Sequence, residues 1–457
     1  MKAKNICPSI MRWDQLLCDD RFGQDPEGIE NSQLATSHKR TDFERDYDRI
    51  IFSAPFRRLQ NKAQIFPLPG KIFVHNRLTH SLEVSCVGRS LGNCIAEGLS
   101  ERYNTPYHEW RHIAAIVSAA CLAHDIGNPP FGHSGERAIR SYFTEGNGGK
   151  WEKAIRKEGM PWEDFVYYEG NANALRLLTH QFRGRRPGGF ALTYTTLAAM
   201  VKYPWESGLA KEKHKFGFFA TEKKTYQQIA KRLGLLQQDS SLLSYARHPL
   251  VYLMEAADDI CYQIMDLEDA YKLRILTFGE VSDLLLSFFD AHETSSIASR
   301  ARNIRDNNER IAFLRSKAIN KLTEACAEVF LSNENDLLQG KWINGLVSKL
   351  PSTLKQAYMS CSQVAKSKVY TAQEVIDVEL AGHRIFGELI DRVMHSLLHP
   401  EQSYSRTLLS YVSSQYNTEE ISTYGKLMCT LDYISGMTDV FALDIYRRIT
   451  GMSLPAI

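Results

Sequence analysis

The chain has 457 residues, 44% of them apolar and 24% charged, and a net charge of +2. That length and mixture exclude large-scale disorder and predict one large unit or two closely packed lobes. The overall charge says little about partners, and only two local clusters stand out: Arg183, Arg185 and Arg186 in one loop, and Lys211, Lys213 and Lys215 in the next.

Nine cysteines are scattered without any Cys-x-x-Cys spacing, which reads as a reduced protein. The amino terminus has no apolar run after its lysines, and no stretch approaches the roughly 20 apolar residues of a membrane span. The expectation is a soluble, cytoplasmic chain with no signal peptide.

Residues 1–40 form an amino-terminal arm, with a loop at Asp19–Pro26. From Thr41 the pattern is helical: Thr41 is an N-cap with Glu44 three residues on, and Phe43, Tyr47, Ile50 and Ile51 recur at helical spacing. A dense polar segment follows, from Arg57 through Gln60 and Gln64. Gln64–Phe66 and Ile72–Val74 are the only strand-like pieces there and could form a small hairpin. Asn76 to Glu83 opens another helix, and it carries Arg77 and His80.

An apolar run from Ile113 to Ala123 then breaks into His124-Asp125, passes through Gly127-Asn-Pro-Pro-Phe-Gly132, and resumes as a polar segment carrying His133 and Glu136. Two adjacent ligand-type side chains at the end of an apolar helix cost several kcal/mol to bury unless something satisfies them, and a divalent cation does so. A helix beginning near Tyr168 carries Asn171. Thr193–Val201 is helical, stopping at Lys202-Tyr-Pro-Trp205, and Lys211–Phe219 reads as a mobile connection.

The strongest helix lies between Pro249 and Leu273. Met254, Asp258, Tyr262 and Asp266 share one stripe, while Glu255, Asp259 and Gln263 share its neighbour, so spacing leaves Asp258 and Asp259 nearly even as an inward carboxylate. Beyond about 275 the chain stays helical over 278–289, 302–330, 372–398, 403–412 and 418–449. There is no Gly-rich phosphate loop.

One His, a His-Asp pair and a distant Asp supply two nitrogen and two oxygen ligands, a set suited to a divalent ion with open positions for water and a phosphate oxygen. This H…HD…D pattern resembles the HD-domain phosphohydrolases. Arg77-Leu-Thr-His80-Ser, His124-Asp125-Ile-Gly-Asn-Pro-Pro-Phe-Gly-His133, Glu169-Gly-Asn171, Glu255-Ala-Ala-Asp258 and Asp432-Tyr-Ile-Ser-Gly-Met-Thr-Asp439 are similar to those of bacterial deoxyguanosine triphosphate triphosphohydrolases. The likeness runs from about Arg40 to Arg448.

The resemblance implies an all-α fold: an HD-type catalytic core over 41–275, a helical region over 276–457 packed on it, and at most a small hairpin. It implies hydrolysis of a deoxynucleoside triphosphate, dGTP as the first guess, to deoxynucleoside and tripolyphosphate. His80, His124, Asp125 and Asp258 become ligands of one Mn²⁺ or Mg²⁺ per subunit, and His133 with Glu136 the catalytic pair. Arg77 and Lys202 hold phosphates, Tyr262 and Asp266 meet the sugar, Asn171 lies near the metal, and Gln60 is a weaker candidate for base or sugar. Asn128 stands where other HD phosphohydrolases place a histidine for a second metal. Relatives of this kind are homo-oligomers, often hexamers, and some respond to single-stranded DNA. The competing readings are an HD nucleotidase or phosphodiesterase, and a nucleic-acid-binding regulator using the two basic loops.

Overall fold

The computed structural model describes residues 10–24, 40–66, 74–239, 241–342 and 344–452. Its principal helices are α1 (Asp42–Ile51), α2 (Arg77–Tyr103), α3 (His112–Ala123), α4 (Gly132–Thr144), α5 (Gly170–Thr179), α6 (Tyr194–Met200), α7 (Val251–Lys272), α8 (Asn307–Ser332), α9 (Gln373–Leu398), α10 (Thr423–Ser435) and α11 (Asp439–Ile449). The sheet among the described residues is one antiparallel pair, Gln237–Asp239 with Ser244–Tyr245. The fold is therefore all-α, as expected.

Local chemistry accounts for the helix starts. Thr41 and Glu44 form a reciprocal capping box on α1, and Asn76 does the same with Thr79 on α2. Thr193 caps α6 through the amide of Thr196. The expected helix over 418–449 is two helices, because the chain turns at Gly436-Met437 and Thr438 caps a new start.

One other expectation is corrected, and one lies outside the described residues. The hairpin expected at Gln64–Phe66 and Ile72–Val74 has its turn and most of its second strand in residues 67–73, which are not among those described; beside it, Ala63 and Asn76 make an isolated bridge. Lys211–Phe219 is not a loose connection. Ala210–Lys213 is a short helix, and Phe216, Phe218 and Phe219 are fully buried, so three aromatic anchors hold the segment against the core. Most of the amino-terminal arm also lies outside the described residues.

The apolar interior forms two clusters. One unites α1, α2, α3, α7 and α8; the other unites α4, the segment around Phe165 and Phe216, and α9 to α11. In the first, α2 and α3 pack along their length. Gly88 and Gly92 make this possible: a Cβ at Gly92 would lie 2.5 Å from Ala114 Cα, and one at Gly88 2.5 Å from Cys121 Sγ. This close approach sets the His80 and His124 rings 5.4 Å apart. Gly92→Val is therefore expected to destabilise the protein by about 1–3 kcal/mol, the usual range for overpacking. Denaturant unfolding of the metal-free protein would measure it, and an unchanged midpoint would contradict the account.

The eight described cysteines are free thiols. No helix among the described residues is long and apolar enough to cross a membrane.

Candidate active site

α3 ends at Ala123, and the chain turns through His124 to Gly127. His124 Nδ1 lies 2.6 Å from the carbonyl of Cys121, one turn back on α3. A ring nitrogen donating to a carbonyl fixes the tautomer and leaves the other nitrogen with its lone pair. That other nitrogen, Nε2, is buried and has no hydrogen-bond partner.

Three further donors converge on it. Asp258 Oδ1, from α7, lies 3.4 Å from His124 Nε2 and 3.2 Å from His80 Nε2 on α2. Asp125 Oδ1 is 3.6 Å from His124 Nε2, and donor atoms of His80, His124 and Asp125 all lie within 4.8 Å of one another. Burial alone would push both carboxyls up, but Lys202 and His124 hold Asp258 well below the usual range, and Arg77 with the two histidines holds Asp125 below it. Two ionised carboxylates and an imidazole with an aimed, unsatisfied lone pair fit a divalent cation.

The geometry also separates the two aspartates of α7. Asp259 does not join the donor cluster; burial and its neighbours Glu255 and Asp258 raise its carboxyl to about 7. Its main-chain carbonyl accepts from Tyr358 OH.

A cavity of about 250 Å³ opens over this cluster, lined by Arg77, His124, Asp125, His133, Asn171, Lys202, Asp258 and Tyr262 among others. Arg77 Nη1 donates to Asp125 Oδ2 at 2.5 Å, and Lys202 Nζ to Asp258 Oδ2 at 2.6 Å. Asn171, in the first turn of α5, reaches the end of α6: its side chain donates to Met200 O and accepts from the amide of Lys202, each at 3.1 Å. This fixes where the Lys202 backbone leaves α6.

His133 stands exposed at the cavity, and its Nδ1 is 2.9 Å from Glu136 Oε2 one turn along α4. Glu136 is buried, and its Oε1 accepts from the Gly170 amide at 2.7 Å. Burial opposes its charge, but His133, Lys215 and Arg140 outweigh it and keep the carboxyl below the usual range.

The turn between the pairs needs a glycine at its end. Gly132 has φ +57°, and a Cβ there would fall 2.0 Å from Arg77 Nη2. The turn is also held from behind by the carboxy-terminal motif. Asp439 accepts from the amides of Phe131 and Ala63, both at 2.8 Å. Buried Lys62 bridges Asn128 O at 2.5 Å and Ser435 O at 2.8 Å. Arg176 on α5 binds Asp432 through two 2.8 Å bonds and Glu222 at 2.7 Å.

Not every expected residue reaches the cavity. Gln60 sits exposed on a short 3-10 turn, Leu59–Asn61, whose neighbour Leu59 takes the inward position. Gln64 lines the cavity instead, its buried Oε1 without a partner. Asp266 is buried further along α7, accepting from Tyr370 OH at 2.7 Å, and burial raises its carboxyl far above the usual range. The rings of Tyr370 and Tyr262 are 6.0 Å apart.

Glu169, Tyr203 and Lys215 also line the cavity, beyond the residues expected there. Glu169 pairs with Arg140 at 3.0 Å and with Lys215 at 3.4 Å, and Lys215 lies over the Tyr203 ring. The signal for Lys215 was the aromatic run after it, which the density of lysines before it obscured. The other basic loop is partly engaged, with Arg183 paired to Glu419 and Arg185 stacked on Phe182 and Phe190.

A helical core that brings a His, a His-Asp pair and an Asp to one cavity defines the HD class of phosphohydrolases. The HD domain family matches residues 77–170, and the phosphohydrolase-associated domain matches 349–448. A deoxyguanosinetriphosphate triphosphohydrolase-like protein of Synechocystis sp. is 39% identical, covering 97% of this chain and 100% of its own. One from Pseudomonas aeruginosa is 38% identical over 98% of this chain and 100% of its own. A deoxyguanosinetriphosphate triphosphohydrolase of Salmonella arizonae is 30% identical over 90% of this chain and 94% of its own. The chain belongs to the deoxyguanosinetriphosphate triphosphohydrolase family, and it is a hydrolase of the HD class.

Proposed function

We propose that the protein hydrolyses deoxynucleoside triphosphates, dGTP first among them, to the deoxynucleoside and tripolyphosphate. The observation that carries this reading is the convergence, in one cavity, of the unsatisfied His124 Nε2 and its carboxylate neighbours with three cations, Arg77, Lys202 and Lys215. Three cations match the charge of a triphosphate better than that of a monophosphate or a cyclic diester, which disfavours the nucleotidase and phosphodiesterase alternatives.

His80, His124, Asp125 and Asp258 would hold one Mn²⁺ or Mg²⁺. When bound, such an ion polarises the α-phosphate and makes water more acidic. Arg77 and Lys202, now on Asp125 and Asp258, are placed to meet phosphate oxygens, and Lys215, now on Glu169, adds a third cation to the same lining. His133, held by ionised Glu136, moves a proton at the reacting phosphorus. Asn171 sets the position of Lys202. Tyr262, on the cavity wall, packs where a 2′ hydroxyl would crowd, and Asp266, outside the cavity lining and held by Tyr370, backs that sugar-side wall from behind.

The test is a product assay with each of the four dNTPs, alone and mixed, with Mn²⁺ or Mg²⁺. Tripolyphosphate and free deoxynucleoside are expected, with dGTP the fastest single substrate. Release of pyrophosphate or orthophosphate would overturn the reading.

A further inference from the structure

Behind the catalytic cavity lies a second, larger one of about 690 Å³, within the range of small-molecule sites. Its walls are aromatic and cationic: Tyr203, Trp205, Tyr245 and Trp342, with Lys213, Lys341 and Arg247. Its one acid, Glu255, is already matched by a bidentate pair with Arg247, both bonds 2.9 Å. Lys213 lies 4.2 Å over the Trp205 ring, and neither it nor Lys341 forms an ion pair among the described residues. The cavity therefore carries uncompensated positive charge between flat π surfaces. A ligand that satisfies both features is a planar aromatic ring bearing an anionic group.

We propose that this cavity is a second binding site, for a free nucleoside phosphate whose base stacks on the aromatic walls and whose phosphate meets Lys213 and Lys341. The site adjoins the catalytic one, since Tyr203 is a wall of both cavities and Arg247 Nε donates to the carbonyl of Lys202 at 2.6 Å. It is independent of the reaction proposed above, because it uses none of the metal-type residues.

Tryptophan supplies the readout. Trp205 and Trp342 line this cavity, and no tryptophan lines the catalytic one. The full-length protein in EDTA, which prevents turnover, is titrated with dGMP while intrinsic fluorescence is followed. Saturable quenching is expected, with deoxyguanosine and inorganic phosphate each binding at least about tenfold more weakly. The exposed double substitution Lys213→Ala/Lys341→Ala should raise the Kd for dGMP by about tenfold or more with helix content unchanged by circular dichroism, and Trp342→Phe should reduce the quench amplitude. The proposal is overturned by absence of saturable quenching, by equal binding of deoxyguanosine, or by an unchanged Kd in the double variant. Displacement of the quench by tripolyphosphate with no effect of the lysine substitutions would place dGMP in the catalytic cavity, and tighter binding of a short oligonucleotide than of dGMP would make the ligand a nucleic-acid strand; each overturns it. Quenching without tripolyphosphate production in the metal-loaded assay would spare this site and reject the reaction, and the converse result would do the opposite.

Discussion

His124→Ala is expected to lose bound metal and turnover together, with activity down by about 10³-fold or more, the scale of the several kcal/mol a Lewis acid supplies at phosphorus. The reason is geometric. Among the described residues, His124 is the one whose unsatisfied nitrogen faces the other three donors, and the Cys121 carbonyl holds its tautomer from behind. Alanine removes the central donor while Asp125 and Asp258 keep their partners Arg77 and Lys202. Metal content of purified Mn²⁺-loaded protein, read beside the product assay, measures both effects. Full metal content with preserved activity would sink the ligand assignment. Asp258→Asn is expected to behave similarly and Asp259→Asn much less so, which tests the aspartate choice separately.

For His133→Gln the outcome should divide differently: metal content and fold retained, kcat down by about 10²–10⁴-fold, the usual worth of a positioned general acid or base. His133 is exposed at the cavity and contributes little packing, so its loss costs chemistry and not structure. Glu136→Gln should also lower kcat, by a smaller factor, because glutamine can still accept from the Gly170 amide but no longer supplies a charge to the imidazole. A parallel loss of metal in either variant would mean that the pair belongs to the metal site instead.

These two predictions depend on contacts of different legibility. The His124-Asp125 break at the end of an apolar helix and the i, i+3 pair His133 and Glu136 are local features. Helical periodicity and side-chain type suffice to mark them, because neighbours three or four residues apart on a helix must meet. The caps at Thr41 and Asn76 are legible for the same reason. The helical character of the chain after 275 was also visible, although the helices Ala291–Arg302 and Ser352–Val364 and the break at Gly436 were not.

Other parts of the cavity had no local signal. Asp258 and Asp259 sit one position apart on α7, about 100° around the helix, and only the placement of α7 against α2 and α3 decides which carboxylate faces the histidines. Gln64 and Gln60 differ in the same way: a short turn sends one into the cavity and the other to solvent. Lys215 reads as one more charge in a basic loop until Phe216, Phe218 and Phe219 bury the segment and bring it against Glu169. The motif from Asp432 to Asp439 reads as part of one helix in sequence, yet in space it breaks and clamps the turn that carries His133.

What the chain alone determined was therefore the helical class, the donor types and the two short-range pairs, since each depends on interactions within a turn or two of helix. The tertiary structure decided how those pieces share one cavity. The metal-type donors come from helices of one apolar cluster, whereas His133 and Glu136 come from α4 in the other. Their meeting depends on Gly92 admitting α3 against α2, and on Lys62 and Asp439 holding the turn across more than 300 residues of chain. Contacts at that separation are set by how the two clusters pack, and no local pattern in the residues encodes it.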